Sequence, residues 1–255
     1  MEKKQILTLI KEEEWLKDFS EDVTERYLRY KYSLKDIENE FGSILEFARA
    51  HEYFGVHFDK IRNGWVYREW APMANHLYLT GDFNHWSRYS HPLKRNYRGD
   101  WEIFLPYEDY KNSFVHGSKI KVHVEASNGS LDRIPAYIRR VIQDEVSHDF
   151  AGQLWFPENG FSWSDHDFDP SDNLLQPLIY ECHVGMAQEK EGVGTYLEFA
   201  ENILPRVKQA GYNTIQMMAI MEHPYYGSFG YHVSNFFSPT SRFGTPEDLK
   251  YLINK

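Results

Sequence analysis

The sequence has a single cysteine among its 255 residues and no excess of positive charge. Cys182 cannot form an internal disulfide, which favours a reducing compartment, and its apolar neighbours predict a small buried residue rather than a nucleophile. The net charge is −10 and the basic residues are dispersed, which disfavours nucleic acid and membrane surfaces as partners. No apolar run approaches the ~20 residues of a membrane span. We therefore expect a cytoplasmic monomer that needs no cofactor and no metal.

Aromatic residues are abundant, at 16% of the chain. They are concentrated in the stretch MEHPYYGSFGYHVSNFFSPTSRFGTPEDL, residues 221–249, which reads as one long loop. One interpretation is a tyrosine-rich core. The other is a ligand with flat, weakly polar faces such as a sugar, because aromatic rings offer an apolar surface to its C–H groups. The sequence pattern alone leaves both interpretations open.

In the first half of the chain, the spacing of apolar residues changes once, from a helical period to a strand period. Residues 1–52 indicate a helical segment, with capping-box-like starts at Ser33 and Ser43 and a stop at Gly42. From residue 53 the period becomes two, as in WVYREW, HLYLT, WEIFL and KIKVHVEA, and Asn63-Gly64 and Asn128-Gly129 are typical hairpin turns. Residues 53–156 therefore predict an antiparallel, immunoglobulin-like β-sandwich. Residues 157–176, rich in Asp, Pro and Ser, predict a linker.

Residues 177–255 alternate between strand and helix signals. PLIYECHVG and NTIQMMAIM predict buried parallel strands covered by helices on both faces. The helix between them opens with a capping box at Thr195, contains Pro205 as a predicted kink, and ends before Gly211. Thr245-Pro-Glu-Asp248 opens another helix. This order predicts the first β/α units of a truncated (β/α)₈ barrel, so we expect a multidomain chain that is the front part of a longer protein.

Several short motifs fail when their full pattern is required. Asp165, Asp167 and Asp169 have the spacing of a calcium loop but lack its glycine and its glutamate. Gly192-Val-Gly194 lacks the third glycine of a dinucleotide fingerprint, and YGSFG lacks the first glycine of a nucleophile elbow. His183, His223 and His232 are not spaced as a local metal site and are expected to be structural.

The stretch from IYECHVGM to SRFGTPEDLK resembles the 1,4-α-glucan branching enzymes of the α-amylase superfamily. The matching pieces are YECHVGM, ILPRVKQAGYNTIQMMAIMEH, YYGSFGYHVSNFF and SRFGTPEDL, and upstream EYFGVH, YREWAP, LTGDFNHW and HGSKIKV. The resemblance implies a helical segment, a starch-binding sandwich and a (β/α)₈ barrel. It also implies an enzyme of glycogen biosynthesis that cuts α-1,4 links and forms α-1,6 branches by a retaining mechanism with two carboxyls.

The resemblance implies that the catalytic carboxylates lie beyond Lys255, so no catalytic residue is assigned and the chain alone is expected to be inactive. Glu181 and Glu222, near the ends of the two parallel strands, are expected to bind loop backbone or orient neighbours. Tyr231 corresponds to the family's tyrosine that stacks beneath the sugar at the cleavage site. The other positions matching oligosaccharide contacts are Asn39, Glu40, Glu69, Trp70, Ala71, Trp86, Asn96, Tyr97, Arg98, Gly99 and Lys119. Core packing is the alternative role for Trp70 and Trp86, and structural support is the expected role of Tyr225, Tyr226, Phe229, Phe236 and Phe237.

Two other functions remain open on the sequence. A non-catalytic glycogen- or starch-binding module would explain the sandwich but not residues 177–255. A debranching relative of the isoamylase type would have a similar sandwich and barrel, but MEHPYYGSFGYHV fits branching enzymes better. In each case the expected partner is an α-1,4-glucan such as glycogen, amylose or a maltooligosaccharide.

Overall fold

The structure of the protein is a computed structural model that describes residues 8–169, 171 and 176–255. The chain divides into two compact units, Met1–Tyr53 and Phe54–Lys255. Ile6, part of the predicted N-terminal helix, lies outside the described residues, as do residues 170 and 172–175 of the predicted linker. Among the described residues, no helix is both long enough and apolar enough to cross a membrane.

The first unit consists of helices. Residues 8–12 are helical, and the elements that follow are a 3₁₀ helix Glu14–Phe19, α1 Ser20–Phe41, α2 Ile44–Ala48 and a 3₁₀ turn Ala50–Glu52. The predicted stop at Gly42 is confirmed, because its φ of 85° lies in the left-handed region. Ser43 caps α2 by accepting a hydrogen bond from the amide of Glu46 at 3.1 Å. The predicted helix start at Ser33 is wrong, since Ser33 lies inside the uninterrupted helix α1.

The second unit begins with nine antiparallel strands. They are β1 Gly55–Asp59, β2 Gly64–Trp70, β3 His76–Gly81, β4 Lys94–Arg95, β5 Asp100–Pro106, β6 Lys119–Ala126, β7 Gly129–Arg133, β8 Val141–Gln143 and β9 Phe150–Gln153. One sheet has the order β1-β2-β5-β4, and the second has the order β3-β6-β9-β8 with β7 paired to β6. The predicted hairpin at Asn63-Gly64 is confirmed: Asn63 has a φ of 52°, and Asp59 pairs with Gly64.

One core joins the two sheets. Leu77, Leu79, Ile120 and Val122 alternate with polar neighbours along β3 and β6, so their side chains share one face and are buried there. Two short helical elements lie between the strands, a 3₁₀ turn Asp82–Asn84 and α3 Tyr107–Tyr110. The largest rings of this core are Trp65, Tyr67, Phe83, Trp101 and Phe114.

The remaining elements follow the predicted strand–helix–strand order. They are β10 Ile179–His183, a 3₁₀ turn Val184–Met186, α4 Tyr196–Glu198, a π-helical turn Phe199–Ile203, α5 Leu204–Gln209, β11 Thr214–Met218, β12 Met221–Glu222, a 3₁₀ turn Tyr226–Ser228, β13 Asn235–Pro239 and α6 Pro246–Asn254. β10 and β11 pair in parallel. Both predicted capping boxes, at Thr195 and Thr245, are present. Pro205 directly follows the π-helical turn and lies inside one continuous helical run, residues 196–209. Its missing N–H interrupts the helical hydrogen-bond ladder, and the predicted kink takes the form of this π-helical turn.

Two expectations about this region need correction. The aromatic stretch is not one long loop, because β12 and β13 pair as antiparallel strands within it. β10 and β11 are also not buried on both faces: Ile179 is half exposed and Glu181 is exposed. The reason is that the described residues contribute two strands to this sheet, and the packed apolar residues lie on the side of α4 and α5. Cys182 is buried in that cluster as predicted, and burial raises the pKa of its thiol to about 11.

The sandwich and the strand–helix region are joined by side-chain contacts. Arg140, just before β8, donates to the Gly244 carbonyl at 3.0 Å and lies over the ring of Trp155 at 4.8 Å. The Trp155 indole in turn donates to the Glu247 carboxylate at 2.6 Å on α6. Because these contacts involve partly buried groups from both parts, they fix one part against the other.

Candidate functional site

Six of the predicted contact residues lie together at one end of the first sheet. Trp70 ends β2 and is 60% exposed. The amide of Ala71 donates to the carbonyl of Gly99 at 3.2 Å, so the chain leaving β2 is tied to the turn between β4 and β5. We call these residues the Trp70 patch: Trp70, Ala71, Asn96, Tyr97, Arg98 and Gly99.

The turn in this patch is organised by Asn96. Its Oδ1 accepts from the amides of Arg98 at 2.9 Å and Asp100 at 3.0 Å, and its Nδ2 donates to the Asp100 carboxylate. The Arg98 guanidinium donates to the Tyr97 hydroxyl at 2.8 Å. Tyr97 is among the most exposed rings of the unit. The turn therefore presents a ring and a cation to solvent on a backbone that is held by its own side chain.

Glu69 lies beneath this patch rather than on it. It is 9% exposed, and its carboxylate accepts hydrogen bonds from the Tyr67 hydroxyl at 2.8 Å, the Ala136 amide at 2.9 Å and the Trp70 amide at 3.1 Å. Burial raises the pKa of this carboxyl, and those donors oppose the rise. With its oxygens occupied in this way, Glu69 orients Trp70 rather than offering oxygen atoms to a ligand.

Trp86 and Lys119 form a second group, at the other end of β3. The two residues are linked by Asp82, whose carboxylate accepts from the Trp86 indole at 3.0 Å and from the Lys119 backbone amide at 2.7 Å. The Lys119 ammonium contacts the Asp144 carboxylate at 3.1 Å. Trp86 is 41% exposed and has a φ of 60°, a left-handed conformation that is uncommon outside glycine. We call Trp86, Lys119, Asp82 and Asp144 the Trp86 patch.

Sequence reasoning missed Asp82 and Asp144. Asp82 lies in the quoted motif LTGDFNHW, where its position four residues before Trp86 offered a signal, because a short polar side chain at a turn commonly bonds nearby groups. The sequence around Asp144 offered no such signal. Its contact with Lys119 depends on the pairing of β6 with β9 and of β9 with β8, which brings the β8–β9 turn to the start of β6.

Tyr231 lies in the connection between β12 and β13, following Phe229 and Gly230, both with positive φ. Its ring is 77% exposed, and its amide donates to the Ser228 carbonyl at 3.0 Å. The rings expected to support it divide into two groups. Tyr226 packs against the cluster of α4 and α5, and Phe237 stacks on Tyr137 of the sandwich with centroids 4.3 Å apart.

Tyr225 and Phe236 are 65% and 68% exposed, which contradicts the predicted packing role for these two rings. Phe229 and Phe237 are 46% and 45% exposed, and each contacts a neighbouring ring. Phe229 still contacts the His183 ring edge-on, with centroids 6.1 Å apart. The stretch therefore presents several rings to solvent in addition to Tyr231.

Glu222 supports the Tyr231 stretch from below. It is fully buried, its carboxylate accepts from the Ser241 amide at 2.7 Å, and its backbone carbonyl accepts from the Ser234 amide at 2.9 Å. Burial raises the pKa of this carboxyl. The prediction that Glu222 binds loop backbone is confirmed. Glu181, by contrast, lies exposed on β10.

His183 and His223 are buried next to the same phenylalanine. Their rings lie 5.6 and 6.3 Å from the ring of Phe243. His223 Nδ1 bonds the Met221 carbonyl at 2.9 Å, and burial lowers the pKa of His183. Within the described ranges, no group of three His, Cys, Asp or Glu side chains is arranged to hold a metal ion.

Within the second unit, the structure distributes the predicted contact residues over separate surfaces. The Trp70 and Trp86 patches lie at opposite ends of β3, which spans six residues, and Tyr231 lies on the strand–helix region. Asn39 and Glu40 are exposed in the last turn of α1, in the first unit. Trp70, Trp86 and Tyr231 are all exposed, so none of the three serves as a core ring.

Comparison with known proteins gives a consistent assignment. Residues 53–138 match the family model of carbohydrate-binding module 48, the isoamylase N-terminal domain. The chain is 43% identical over 252 residues to the 1,4-alpha-glucan-branching enzyme of Dictyostelium discoideum, covering 97% of this chain and 36% of that protein. The enzyme of the same name from Equus caballus is 39% identical over 249 residues, covering 96% of this chain and 35% of that protein.

Solved structures agree at the level of the fold. The catalytic module of the glycogen-degrading pneumococcal virulence factor SpuA superposes with a TM-score of 0.57 at 17% identity, covering 79% of this chain and 35% of that one. The Group B Streptococcus pullulanase SAP gives a TM-score of 0.56 at 15% identity, covering 77% and 30%. The chain spans about a third of the length of the curated relatives it matches. Within that span it is a homologue of the 1,4-alpha-glucan-branching enzymes, and residues 53–138 are similar to carbohydrate-binding module 48.

Proposed function

We propose that this chain is the N-terminal, glucan-binding part of a 1,4-α-glucan branching enzyme of glycogen biosynthesis. The observation that carries the proposal is the exposure of Trp70, Trp86 and Tyr231, each held by nearby backbone or side-chain hydrogen bonds, in a chain similar to branching enzymes over nearly its whole length. The Trp86 ring is held by its own indole N–H, and the backbone of Trp70 and Tyr231 is fixed at its amide, so stacking on a pyranose ring costs less entropy than it would from a mobile segment.

The proposed architecture has four parts. Residues 1–52 form the helical segment, 53–156 the sandwich, 157–176 the linker and 177–255 the start of a (β/α)₈ barrel. The parallel pairing of β10 with β11 across α4 and α5 supports the barrel assignment. Barrel enzymes place their chemistry at the carboxyl ends of the strands, and the stretch with Tyr231 follows the carboxyl end of β11.

In this proposal the residues of the chain bind and orient substrate. The Trp70 patch offers ring faces, with Arg98 beside them as a hydrogen-bond donor. The Trp86 patch offers an indole face with the Lys119 ammonium beside it, while the Asp82 and Asp144 carboxylates hold these two residues in place. Tyr231 provides an apolar floor beneath the sugar and, through its π face, favours the positive charge that develops at the anomeric carbon.

The bond chemistry is proposed to reside on other residues of the longer enzyme. A retaining transfer needs two carboxyls about 5–5.5 Å apart, one as nucleophile and one as acid and base. Glu222 is unsuited to either role because it is fully buried and bonded to loop backbone. We therefore expect the 255-residue chain to form no α-1,6 links when it is incubated with amylose, and new branches would contradict this assignment. A cytoplasmic, monomeric protein remains part of the proposal.

Glucan binding by the chain is tested by calorimetric titration with maltoheptaose. We expect Trp86→Ala and Trp70→Ala each to raise the Kd by roughly three- to tenfold, the effect of losing one aromatic contact. Trp15→Ala is the matched control, since Trp15 is an exposed tryptophan of the first unit that is assigned no contact. If wild type binds neither maltoheptaose nor glycogen, or if Trp15→Ala weakens binding as much as the other two changes, the proposed role is wrong.

A further inference from the structure

The connection between β7 and β8 runs from the core of the sandwich to the strand–helix region. It covers residues 134–140, between the last residue of β7 and the first residue of β8. Ile138 is buried in the sandwich core, and Ile134 packs against the same core. The residues between these two are therefore fixed to the sandwich at both ends. We call these residues the 135–137 segment: Pro135, Ala136 and Tyr137.

The ring of Tyr137 stacks on two other rings. Phe54, which precedes β1, has its ring centroid 5.2 Å away and its plane inclined by 24°. Phe237 of β13 lies closer, with centroids 4.3 Å apart and planes inclined by 21°. The backbone of β1 is also close, because a Cβ atom at Gly55 would lie 3.0 Å from the Tyr137 carbonyl oxygen. Tyr137 is thus held to the sandwich by Phe54 and β1, and it contacts β13 through Phe237.

A hydrogen bond joins the same two parts of the structure. Asn235, the first residue of β13, is 4% exposed, and its Nδ2 donates to the Pro135 carbonyl at 3.3 Å. Asn235 pairs with Glu222 of β12, and the Ser234 amide donates to the Glu222 carbonyl at 2.9 Å. The connection that carries Tyr231 begins and ends at this pair. Both contacts of β13 with the sandwich therefore lie at or next to the base of that connection.

The strands β12 and β13 are a weak frame for Tyr231 by themselves. β12 has two residues and β13 has five, and their register shifts between Met221 and Glu222. An isolated two-stranded pair is marginally stable in water, so a pair this short needs contacts from outside it to hold one conformation. The stacking of Phe237 and the hydrogen bond of Asn235 supply such contacts.

The 135–137 segment also contacts the support of the Trp70 patch. The Ala136 amide donates to the Glu69 carboxylate at 2.9 Å, and the same carboxylate accepts from the Trp70 amide at 3.1 Å. Consecutive residues of one short segment thus hold the backbone of Trp70 on one side and the base of the Tyr231 connection on the other. This arrangement fixes the backbone of these two exposed aromatic residues to the same part of the sandwich.

We propose that Tyr137 is a positioning residue, through which the sandwich holds Tyr231 in the place where glucan binds. Its stacking on Phe237 restricts β13, and β13 in turn carries one end of the Tyr231 connection. A ring on an ordered segment loses less entropy when a ligand stacks on it, so removing the Tyr137 ring should weaken binding at Tyr231 without removing a direct contact to the sugar. The role of Tyr231 in glucan binding rests on the proposed function, whereas the restriction of its connection by Tyr137 does not.

The first measurement is native-state amide hydrogen exchange followed by NMR, which needs no sugar. The probes are the amides of Tyr231 and Ser234, which are both hydrogen-bonded within the connection, and the reference is the hydrogen-bonded amide of Leu79 in β3. A loss of overall stability accelerates exchange at the reference as well, whereas a local loss accelerates exchange at the probes alone. Tyr137→Ala should accelerate exchange at the probes by roughly three- to tenfold more than at Leu79, the effect of losing one stacked ring pair.

Three further variants make this measurement specific. Tyr137→Phe keeps the stacked ring and should leave exchange at the probes at the wild-type rate. Phe237→Ala removes the same ring pair from the side of β13 and should reproduce the effect of Tyr137→Ala. Tyr107→Ala is the matched control, because Tyr107 is a sandwich tyrosine, 37% exposed, whose ring contacts Phe58 and Trp65. It should leave the ratio between probes and reference unchanged.

The second measurement follows the same proteins by NMR during titration with maltoheptaose. In Tyr137→Ala, the Kd reported by the Tyr231 amide should rise by roughly three- to tenfold, whereas the Kd reported by the Trp86 amide should stay at its wild-type value. Tyr137→Phe should bind as wild type does at both places. A variant that had merely lost overall stability would change both Kd values together.

The outcomes separate this inference from the proposed function. If Tyr137→Ala accelerates exchange at the probes no more than at Leu79, or if Tyr107→Ala has the same effect, the inference is wrong and the proposed function stands. The inference is also wrong if the Kd reported by the Tyr231 amide keeps its wild-type value. If no amide of wild type responds to the sugar, the proposed function fails, and the exchange rates alone decide whether Tyr137 restricts the connection.

Discussion

Replacing Gly99 by alanine tests whether the turn of the Trp70 patch is as closely packed as the structure indicates. Gly99 has a φ of 87°, and a Cβ atom there would lie 2.8 Å from Cα and Cβ of Pro72. The left-handed conformation alone costs about 1–2 kcal/mol for a residue with a side chain. The overlap adds about 1–3 kcal/mol, typical of overpacking. Pro72 cannot easily withdraw, because its carbonyl is held by Arg95. We expect the free energy of unfolding to fall by about 2–5 kcal/mol in total.

Gly211→Ala is the matched control. Gly211 has a φ of 92°, and a Cβ atom there would meet no other atom within 4 Å, so the change carries the conformational cost without the overlap. Urea unfolding followed by tryptophan fluorescence gives both values, since every tryptophan except Trp15 lies in the second unit. Gly99→Ala should also weaken maltoheptaose binding, because the turn carries Tyr97 and Arg98. Equal losses of stability in the two variants would refute the close packing of Pro72 against the turn.

Three further changes test the packing, a helix cap and an ion pair. Phe243→Ala should lower the free energy of unfolding by about 3–5 kcal/mol because the ring is fully buried, and urea midpoints near wild type would contradict that. Thr195→Ala removes the hydroxyl that accepts from the Glu198 amide and should lower the free energy of unfolding by about 1 kcal/mol. An unchanged urea midpoint would show that the cap contributes nothing. Asp132→Asn removes a carboxylate whose folded-state pKa is lowered by Arg88. The stability that this carboxylate contributes is present above its unfolded-state pKa, near 4, and is lost as the pH falls through the folded-state pKa. The deficit of the variant, below about 1 kcal/mol for a partly exposed pair, should therefore shrink between pH 7 and pH 3, and a deficit that grows on acidification would contradict the assignment.

Features encoded by neighbouring residues could be predicted from the sequence. The turn at Asn63-Gly64 and the capping boxes at Thr195 and Thr245 depend on side chains within four residues of each other, and all three are present. The prediction of a helix start at Ser33 was wrong because it relied on neighbouring residues alone. A serine caps a helix only where the preceding backbone leaves the helical conformation, and in α1 the helix continues through it.

The candidate site could be predicted only in part, because some of its features depend on contacts between residues far apart in the sequence. Exposed rings beside turn residues, such as Trp70, Trp86 and Tyr231, can be recognised in the sequence because turns lie at the surface. The burial of Glu69 could not, since it depends on the Ala136 amide 67 residues away. The alignment of His76, Glu125 and Ser130 across β3, β6 and β7 could not be predicted from the sequence either, because it depends on the register of three strands.

The side-chain contacts between Arg140, Trp155 and Glu247 have a consequence for the binding of long glucan chains. Because these contacts hold the sandwich rigidly against the strand–helix region, the distance between Trp86 and Tyr231 stays constant. A glucan that reaches both gains the second contact at high effective concentration, whereas one too short to span the gap gains nothing from it. Affinity should therefore rise in a step once the oligosaccharide reaches the spanning length, rather than by equal increments per glucose unit.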